Sequence, residues 1–502
     1  MNRMTLRLTL AIGMIVSLLM PGTALGQSEY ARQIAQRTIL RNYAAATWQG
    51  FEAMTYPNGL TADNMAEDGT RSGYTSPTNI ASYIWSALAA RDMQLINRQE
   101  ARSRIARTLE TLGDLERHEE SGMYYNWYDP ETGEKLTVWP VDGGTVYPFL
   151  SSVDNGWLAA ALIMASRADP RLRWQADALF QDMDFAFYYD IGAGLLRGGY
   201  WPDPPPGQGG GTGGPGNETG YTGHHYGSLN TEPRIASYIG IAYNGIPATH
   251  YFKMWRTFPA TCDWGWHEMQ PQGVDRTYLG VDVYEGHYTY RGMNIVPSWG
   301  GSMFEALMVP LLVPEEEWGT RSWGINHPLY VRAQIEHGLD EAGYGYWGFS
   351  PSNDPAGGYR EYGVDQIGMN PDGYSSDQER TTVDLGFGEC RPAGETDPQY
   401  GQGVVTPHAS FLALDYQPEA ALENLANIRA EFDAYGRYGF YDAVNVVTGQ
   451  VSKYYLALDQ GMIMAAIGNE LRNDSLQRYF VQGEIRAAIK PLLAMEEFTA
   501  GD

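Results

Sequence analysis

The sequence predicts an all-α chain arranged as an (α/α)6 toroid, six inner helices ringed by six outer ones, on two observations. Polar lead-ins run into segments apolar on every side near positions 76, 154, 232, 300, 406 and 459, and a helix apolar all round has to be buried. Each such segment is followed by an amphipathic stretch with charges on one face. Buried helices entered from one side gather their polar starts at one end. A broad funnel is therefore expected, floored by inner helix starts and walled by aromatic-rich loops with a few short strands at the rim.

At the N-terminus, Arg3 and Arg7 flank the start of an apolar run from Leu8 to Met20, and Ala24-Leu25-Gly26 supplies small residues before Gln27. This is the layout of a secretory signal over residues 1–26. The alternative is a membrane anchor, but the run is shorter than the ~20 residues needed to span. Periplasmic or secreted export without stable membrane insertion is expected, with residues 27–502 as one domain.

Residues 28–49 place Ala31, Ile34, Ala35, Ile39 and Leu40 at helical spacing, and 50–74 read as loop. Ser76 caps and Pro77 opens a helix carrying Ile80, Tyr83, Ile84, Ala87 and Leu88. Its outer partner lies at about 97–117, and Tyr124 to Glu134 form an aromatic strand and turn. The helix at Asp154 has a partner near 171–188. Residues 191–230, with Pro204-Pro205-Pro206 and a Gly run from Gly207 to Gly214, read as the longest flexible insertion; the run lacks the Lys and Ser or Thr of a phosphate loop. After the start at 231 come a partner near 246–256, an aromatic loop through 262–299 and an inner helix from Met303 to Leu312. A partner at 327–339, an aromatic stretch 342–405, an inner helix at Thr406 and a partner at 418–434 follow. Strand-like Tyr438 to Asp442, an inner helix from Gln460 and an amphipathic helix at 474–494 complete the chain.

The formal charge of −26 opposes nucleic acid and uronate polymers. Against that, 14 Trp and 35 Tyr offer flat faces to sugar C–H surfaces and polar edges to water. A neutral oligo- or polysaccharide is the expected partner of a monomer. Cys262 and Cys390 are too few for a disulfide framework and leave one bond open. The nine His include no HExxH, so no metal and no cofactor is expected.

Glu232 lies in the first turn of an inner helix, behind a loop bearing Tyr221, His224, His225 and Tyr226, and Asp154 stands at the start of another. A helix dipole or N-cap also favours an acid there, by ~0.3–1 kcal/mol. Two carboxylates facing one another across a funnel are, however, what glycoside hydrolysis requires. Glu232 is the candidate general acid and Asp154 the base or its water-positioning partner. Glu305 and His408 read as structural. Trp127, Asp129, Trp157, Tyr226, Arg234, Trp299, Trp347 and Asp459 are candidate substrate contacts, Asp129 on a turn of ordinary turn chemistry. Two other functions stay open: a polysaccharide lyase on the same toroid, and a non-catalytic glycan-binding envelope protein.

Several ordered motifs resemble one family. They are Thr75-Ser76-Pro77-Thr78-Asn79-Ile80, Tyr125-Asn126-Trp127-Tyr128, Ser152-Val153-Asp154-Asn155-Gly156, Glu232-Pro233-Arg234-Ile235, Ser298-Trp299-Gly300-Gly301-Ser302-Met303-Phe304-Glu305, Trp347-Gly348-Phe349-Ser350, Gly439-Phe440-Tyr441-Asp442-Ala443 and Asp459-Gln460-Gly461-Met462. The chain is similar over residues 30–495 to the putative glucoamylase-like family, which includes bacterial endo-β-1,2-glucanases of glycoside hydrolase family 144 and a domain of cyclic β-1,2-glucan synthases. The resemblance implies an (α/α)6 toroid, a secreted or periplasmic location and inverting hydrolysis of a β-linked glucan. By motif, Glu232 matches the glutamate of a Glu-x-Arg segment and Asp154 the aspartate of a Val-Asp segment. Pro233 and the 201–230 insertion depart from the pattern beside the expected cleft.

Overall fold

The computed structural model describes residues 21–213, 218–258, 261–262, 269–369, 385–394, 400–401 and 403–501. Most of the expected secretory segment, Trp264, Trp266 and Gly214 lie outside them. The described helices are α1 (Pro21–Met54), α2 (Pro77–Asp92), α3 (Arg98–Asp114), α4 (Ser152–Ala168), α5 (Arg173–Gln181), α6 (Arg234–Tyr243), α7 (Thr249–Lys253), α8 (Met303–Leu307), α9 (Glu315–Trp318), α10 (Trp323–Glu336), α11 (Pro407–Leu412), α12 (Pro418–Glu431), α13 (Ala457–Arg472), α14 (Ser475–Phe480) and α15 (Glu484–Met495). None of them is long and apolar enough to cross a membrane.

Burial follows sequence pattern. Nearly every side chain of α2, α4 and α13 is buried, whereas α3 buries one stripe through Ala101, Ile105, Leu109 and Leu112. α2 packs against α4 and α13, α4 against α6, and α11 against α8 and α13. Outside these, α3 packs on α2 and α5, α5 on α4, α12 on α11, and α15 on α6. Two glycines permit the tightest helix passes: a Cβ at Gly156 would lie 2.9 Å from that of Ala236, and one at Gly461 2.7 Å from that of Ser82.

Three buried helices open alike. Ser76, Ser151 and Ser302 cap α2, α4 and α8, each Oγ accepting the N–H of the residue three further on: Asn79 at 3.2 Å, Asp154 at 3.2 Å and Glu305 at 3.3 Å. The cap fixes the first turn, and the third residue's side chain leaves at the open end. Asn64–Ala66 pairs antiparallel with Tyr454–Leu456, tying the segment before α2 to the entrance of α13.

The rim differs from expectation. Part of the described 191–230 insertion is sheet rather than loop: with Leu150–Ser151, its segments Gly199–Tyr200, Glu218–Tyr221 and Gly211–Gly213 form four antiparallel strands in that order. Within 262–299, Gln272–Tyr278 and Val281–Tyr290 make a hairpin extended by Met293–Ile295. The inner helix expected to reach Leu312 leaves α geometry after Leu307 and becomes a 3-10 turn over Val309–Leu311, since Pro310 has no N–H to continue the ladder. The partner near 246–256 shrinks to the five residues of α7. Cys262 and Cys390 are joined by a disulfide.

Candidate active site

Successive helix starts hold one another's carboxylates. Asp154 Oδ1 accepts the Thr78 hydroxyl of α2 at 2.6 Å. One turn along α4 from Asp154, the Trp157 indole N–H donates to Glu232 Oε2 at 2.6 Å. The Glu232 backbone N–H donates to Glu305 Oε2 of α8 at 2.8 Å, and the Thr231 hydroxyl donates to the same oxygen. Asn126, oriented to satisfy its neighbours, donates to Asp154 Oδ2 at 2.9 Å and accepts the Trp127 indole N–H at 3.3 Å.

Glu232 occupies the turn just before α6 rather than the helix itself. Pro233 has helical φ of −57°, and bonds from Arg234 N to Thr231 O (3.2 Å) and Ile235 N to Glu232 O (3.1 Å) tighten this entry. Proline suits the place because an entering residue needs no N–H partner. In front of Glu232 opens a cavity of about 640 Å³, lined by His224, His225, Tyr226, Trp255, Phe258, Trp299 and Glu305, a volume typical of small-ligand sites.

Burial, then the negative charge of Glu305, pushes the Glu232 carboxyl well above its ordinary range; Asp154 and Glu361 add to this and the Trp157 hydrogen bond opposes it. Asp154 is raised by burial against hydrogen bonds from Ser151, Thr78 and Ser76. Glu305 is raised by burial against those from Thr231 and the Glu232 N–H. Of these three acids, Glu232 is the one most strongly driven to keep its proton.

The structure corrects several expected substrate contacts. Arg234 is fully buried and spends all five guanidinium N–H groups internally, on Glu315 twice and on the carbonyls of Thr231, Glu305 and Ala306. It fastens α6 to α8 and has no donor left for a ligand. Burial opposes ionisation of Glu315, yet Arg234 and His327 hold its pKa down to about 2. Trp347 is a buried core ring, 2% exposed. Trp157, 1% exposed, offers no face to a sugar and serves through its N–H. Asp129 Oδ1 caps its own turn, accepting the N–H groups of Glu131 (2.8 Å) and Thr132 (2.9 Å).

Asp459 lies beneath the floor, 1% exposed. Burial raises it to about 7, and burial together with the Asp459 charge drives Asp442 well above its range. The two carboxyls therefore share a proton near neutrality. His408 Nδ1 is 3.2 Å from Asp459 Oδ2, but burial lowers His408 to about 4, so the contact is not an ion pair at neutral pH.

Trp299 and Tyr226 stay partly exposed on the cavity wall, and Trp127 stands, partly exposed, beside Asp154 through Asn126. Asp63 was not singled out in the sequence. Its Oδ1 accepts the Asn79 amide of α2 at 2.7 Å and its Oδ2 that of Asn64 at 2.9 Å. Burial raises it, with the Asp154 charge contributing. No local pattern marks Asp63, which sits in the Asn- and Asp-rich segment read as loop.

Fold and site together define a helical protein whose carboxylate floor faces an aromatic-walled cavity. Comparison with known proteins gives it kin. Residues 265–484 match the model of a family described as "Putative glucoamylase", and residues 42–188 that of a "Protein of unknown function (DUF3131)". Over 277 residues, 53% of the chain, it is 30% identical to the cyclic β-(1,2)-glucan synthase NdvB of Rhizobium meliloti, and spans only 8% of that protein's length. The fold is similar to an endo-β-1,2-glucanase from Chitinophaga pinensis solved with sophorotriose and glucose (TM-score 0.63, 19% identity, covering 91% of this chain and 98% of that one). It is also similar to a β-1,2-glucanase from Parabacteroides distasonis (TM-score 0.67, 17% identity, covering 92% and 60%). The family resemblance carried by the motifs is thus met by the match over residues 265–484, and the fold is shared with these solved structures.

Proposed function

We propose that the protein is an exported, monomeric glycoside hydrolase acting on a neutral β-linked glucan of the β-1,2 type, on an (α/α)6 toroid and with inversion. The observation that carries this reading is Glu232: a carboxyl biased to stay protonated at the foot of a cavity of about 640 Å³. General acid catalysis needs such a group, poised to give its proton to the leaving glycosidic oxygen. The Trp157 N–H bond to Oε2 steadies the carboxylate left after donation. Asp154, held by Thr78 and Asn126 at the next helix start, is the partner that takes a proton from the attacking water. The relatives support the substrate class, since proteins named for β-1,2-glucan share the fold. A lyase acting beside a uronate calls for a basic site, whereas the chain carries a formal charge of −26 and the hydrogen-bonded groups at these helix starts are carboxyls.

The test is a screen against linkage-defined glucans read by product size. β-1,2-glucan is cleaved by the wild type, and Glu232→Gln loses at least ~10³-fold in kcat/KM with an unaltered melting curve. Retained turnover in that variant removes Glu232 from the acid role, and binding without new reducing ends identifies a glycan-binding protein instead.

A further inference from the structure

Between the cavity residues Trp255 and Phe258 the chain carries a buried charge that the site does not use. This is Arg256, and it is fully buried together with two acids, Glu285 on the strand Val281–Tyr290 and Glu496 after α15. Arg256 Nε donates to Glu496 Oε1 at 2.7 Å, Nη2 donates to the same oxygen, and Nη1 donates to the Met254 carbonyl at 2.6 Å. Glu285 is held more loosely, its Oε2 3.5 Å from Arg256 Nε. One guanidinium neutralises one carboxylate, so ionising both acids leaves an uncompensated charge in the interior.

The cluster ties three segments together. Thr257 packs so closely on Gly286 that a Cβ there would collide with its side chain. Residues 496–501 run as a strap along the hairpin sheet: the Glu497 N–H donates to the Tyr278 hydroxyl at 3.1 Å, the Thr499 hydroxyl to the Glu285 carbonyl at 2.7 Å, and Gly501 and Asn294 exchange N–H to carbonyl bonds of 3.0 and 2.7 Å. On the cavity side the Trp255 N–H donates to the Gly227 carbonyl at 2.6 Å, and its own carbonyl accepts the Leu229 N–H at 2.8 Å. Burial, opposed by Arg256, Tyr278 and Arg276 and aided by the Glu496 charge, pushes Glu285 up to about 7. Burial also raises Glu496, with Glu315 and against Arg256 and Tyr251. The two carboxyls thus keep one proton between them toward neutrality. His287, whose Nδ1 is 2.6 Å from the Thr499 hydroxyl, is lowered by burial.

We propose that Arg256, Glu285 and Glu496 form a proton-operated latch, which clamps the 496–501 strap to the hairpin and backs the 255–258 segment while the two carboxyls share a proton, and which loosens both when that proton leaves. A Glu released to water titrates near ~4.3. Between pH ~4.3 and ~7 the closed latch therefore holds a proton that the open one has lost, so opening grows easier as pH rises through that window and levels off above it. His287 acts with the opposite sign, since a His lowered in the closed form makes opening easier at low pH. The latch needs no turnover, so it stands or falls apart from the hydrolase reading.

Amide hydrogen exchange of the full chain from pH ~5 to ~8, corrected for the intrinsic exchange rate at each pH, tests it. Protection of the Gly501 amide in the strap and of the Trp255 and Leu229 amides beside the cavity is expected to stay below that of amides within α4 and to fall about 10-fold per pH unit up to pH ~6.5, with a plateau above ~7. Glu285→Gln has no proton to lose there, and its strap and wall amides show no such fall. A fall that persists in Glu285→Gln overturns the latch, as does a wall that keeps its protection while the strap loses it. Strap protection equal to that of α4 at every pH also overturns it, because the strap then opens only with the whole molecule. Should Glu285→Gln fail to fold, the wild-type profile decides alone: the fall and plateau support the latch, whereas a flat profile, or protection that rises with pH under His287, overturns it.

Discussion

At Glu232, burial and the Glu305 charge push the carboxyl upward while one indole N–H pulls it back, because a hydrogen bond to the charged form favours that form. Trp157→Phe removes the donor and leaves the folded-state value higher still. The alkaline limb of kcat/KM, which follows loss of the acid's proton in the free enzyme, therefore moves to higher pH in this variant. A limb that stays in place or moves downward shows that Trp157 does not tune the acid. Glu232 and Asp154 were legible because both stand at starts of all-apolar helices. Arg234 was misread for a physical reason: two residues along a helix entry from an acid is also where a side chain turns beneath the floor, and Glu315, which claims it, is remote in sequence. Asp63 stayed hidden because its place is set by the amides of Asn79 and Asn64, not by any periodicity of its own.

Elements meet the floor through a few contacts whose tolerance is small. The Trp157 bond to Glu232 crosses the α4–α6 contact at the point where Gly156 faces Ala236, with 2.9 Å available to a new Cβ. Gly156→Ala forces the helices apart, with an expected stability loss of ~1–3 kcal/mol and a fall in kcat as Trp157 withdraws from Glu232; an unaltered kcat and melting point show that the contact relaxes freely. The Asp442 and Asp459 pair couples the segment before Ala443 to α13, and its pH signature has a definite sign. An unfolded Asp titrates near ~3.9, whereas burial holds Asp459 at about 7 and Asp442 higher than ordinary. Between pH ~4 and ~7 the native state keeps protons the unfolded chain has lost, so this pair's contribution makes stability fall as pH rises through that window. Asp442→Asn needs no shared proton, and its melting temperature declines less steeply over the same range; parallel slopes show that the pair does not share one. Helices of this kind were legible through Ser caps and apolar runs, but the hairpin of Gln272–Tyr278 and Val281–Tyr290 was not, because its Gly- and Tyr-rich surroundings resemble loop.

For the molecule as a whole, the sequence conveyed buried helices and their polar starts but not how the connecting segments are fastened. Two cysteines leave pairing open in the sequence, since only the fold brings positions 128 residues apart within bonding reach. The bond joins Cys262, which follows the cavity residue Phe258 in the chain, to the 385–394 segment. In the chain-entropy account, closing a loop of this length restricts the unfolded ensemble strongly, and measured gains are ~2–4 kcal/mol. Wild type in reductant and the double variant Cys262→Ser/Cys390→Ser are both expected to melt several degrees below the oxidised protein, at the same temperature as each other. Reductant leaves the double variant unmoved. On the proposed hydrolase reading, if the bond also anchors the chain that leads from Phe258, KM for long glucan chains rises in the same samples while the pH profile assigned to Glu232 keeps its limbs. A melting temperature indifferent to reduction means that the helices hold this segment without the bond, and a shifted limb means that the bond's influence reaches the carboxyl proposed as the acid.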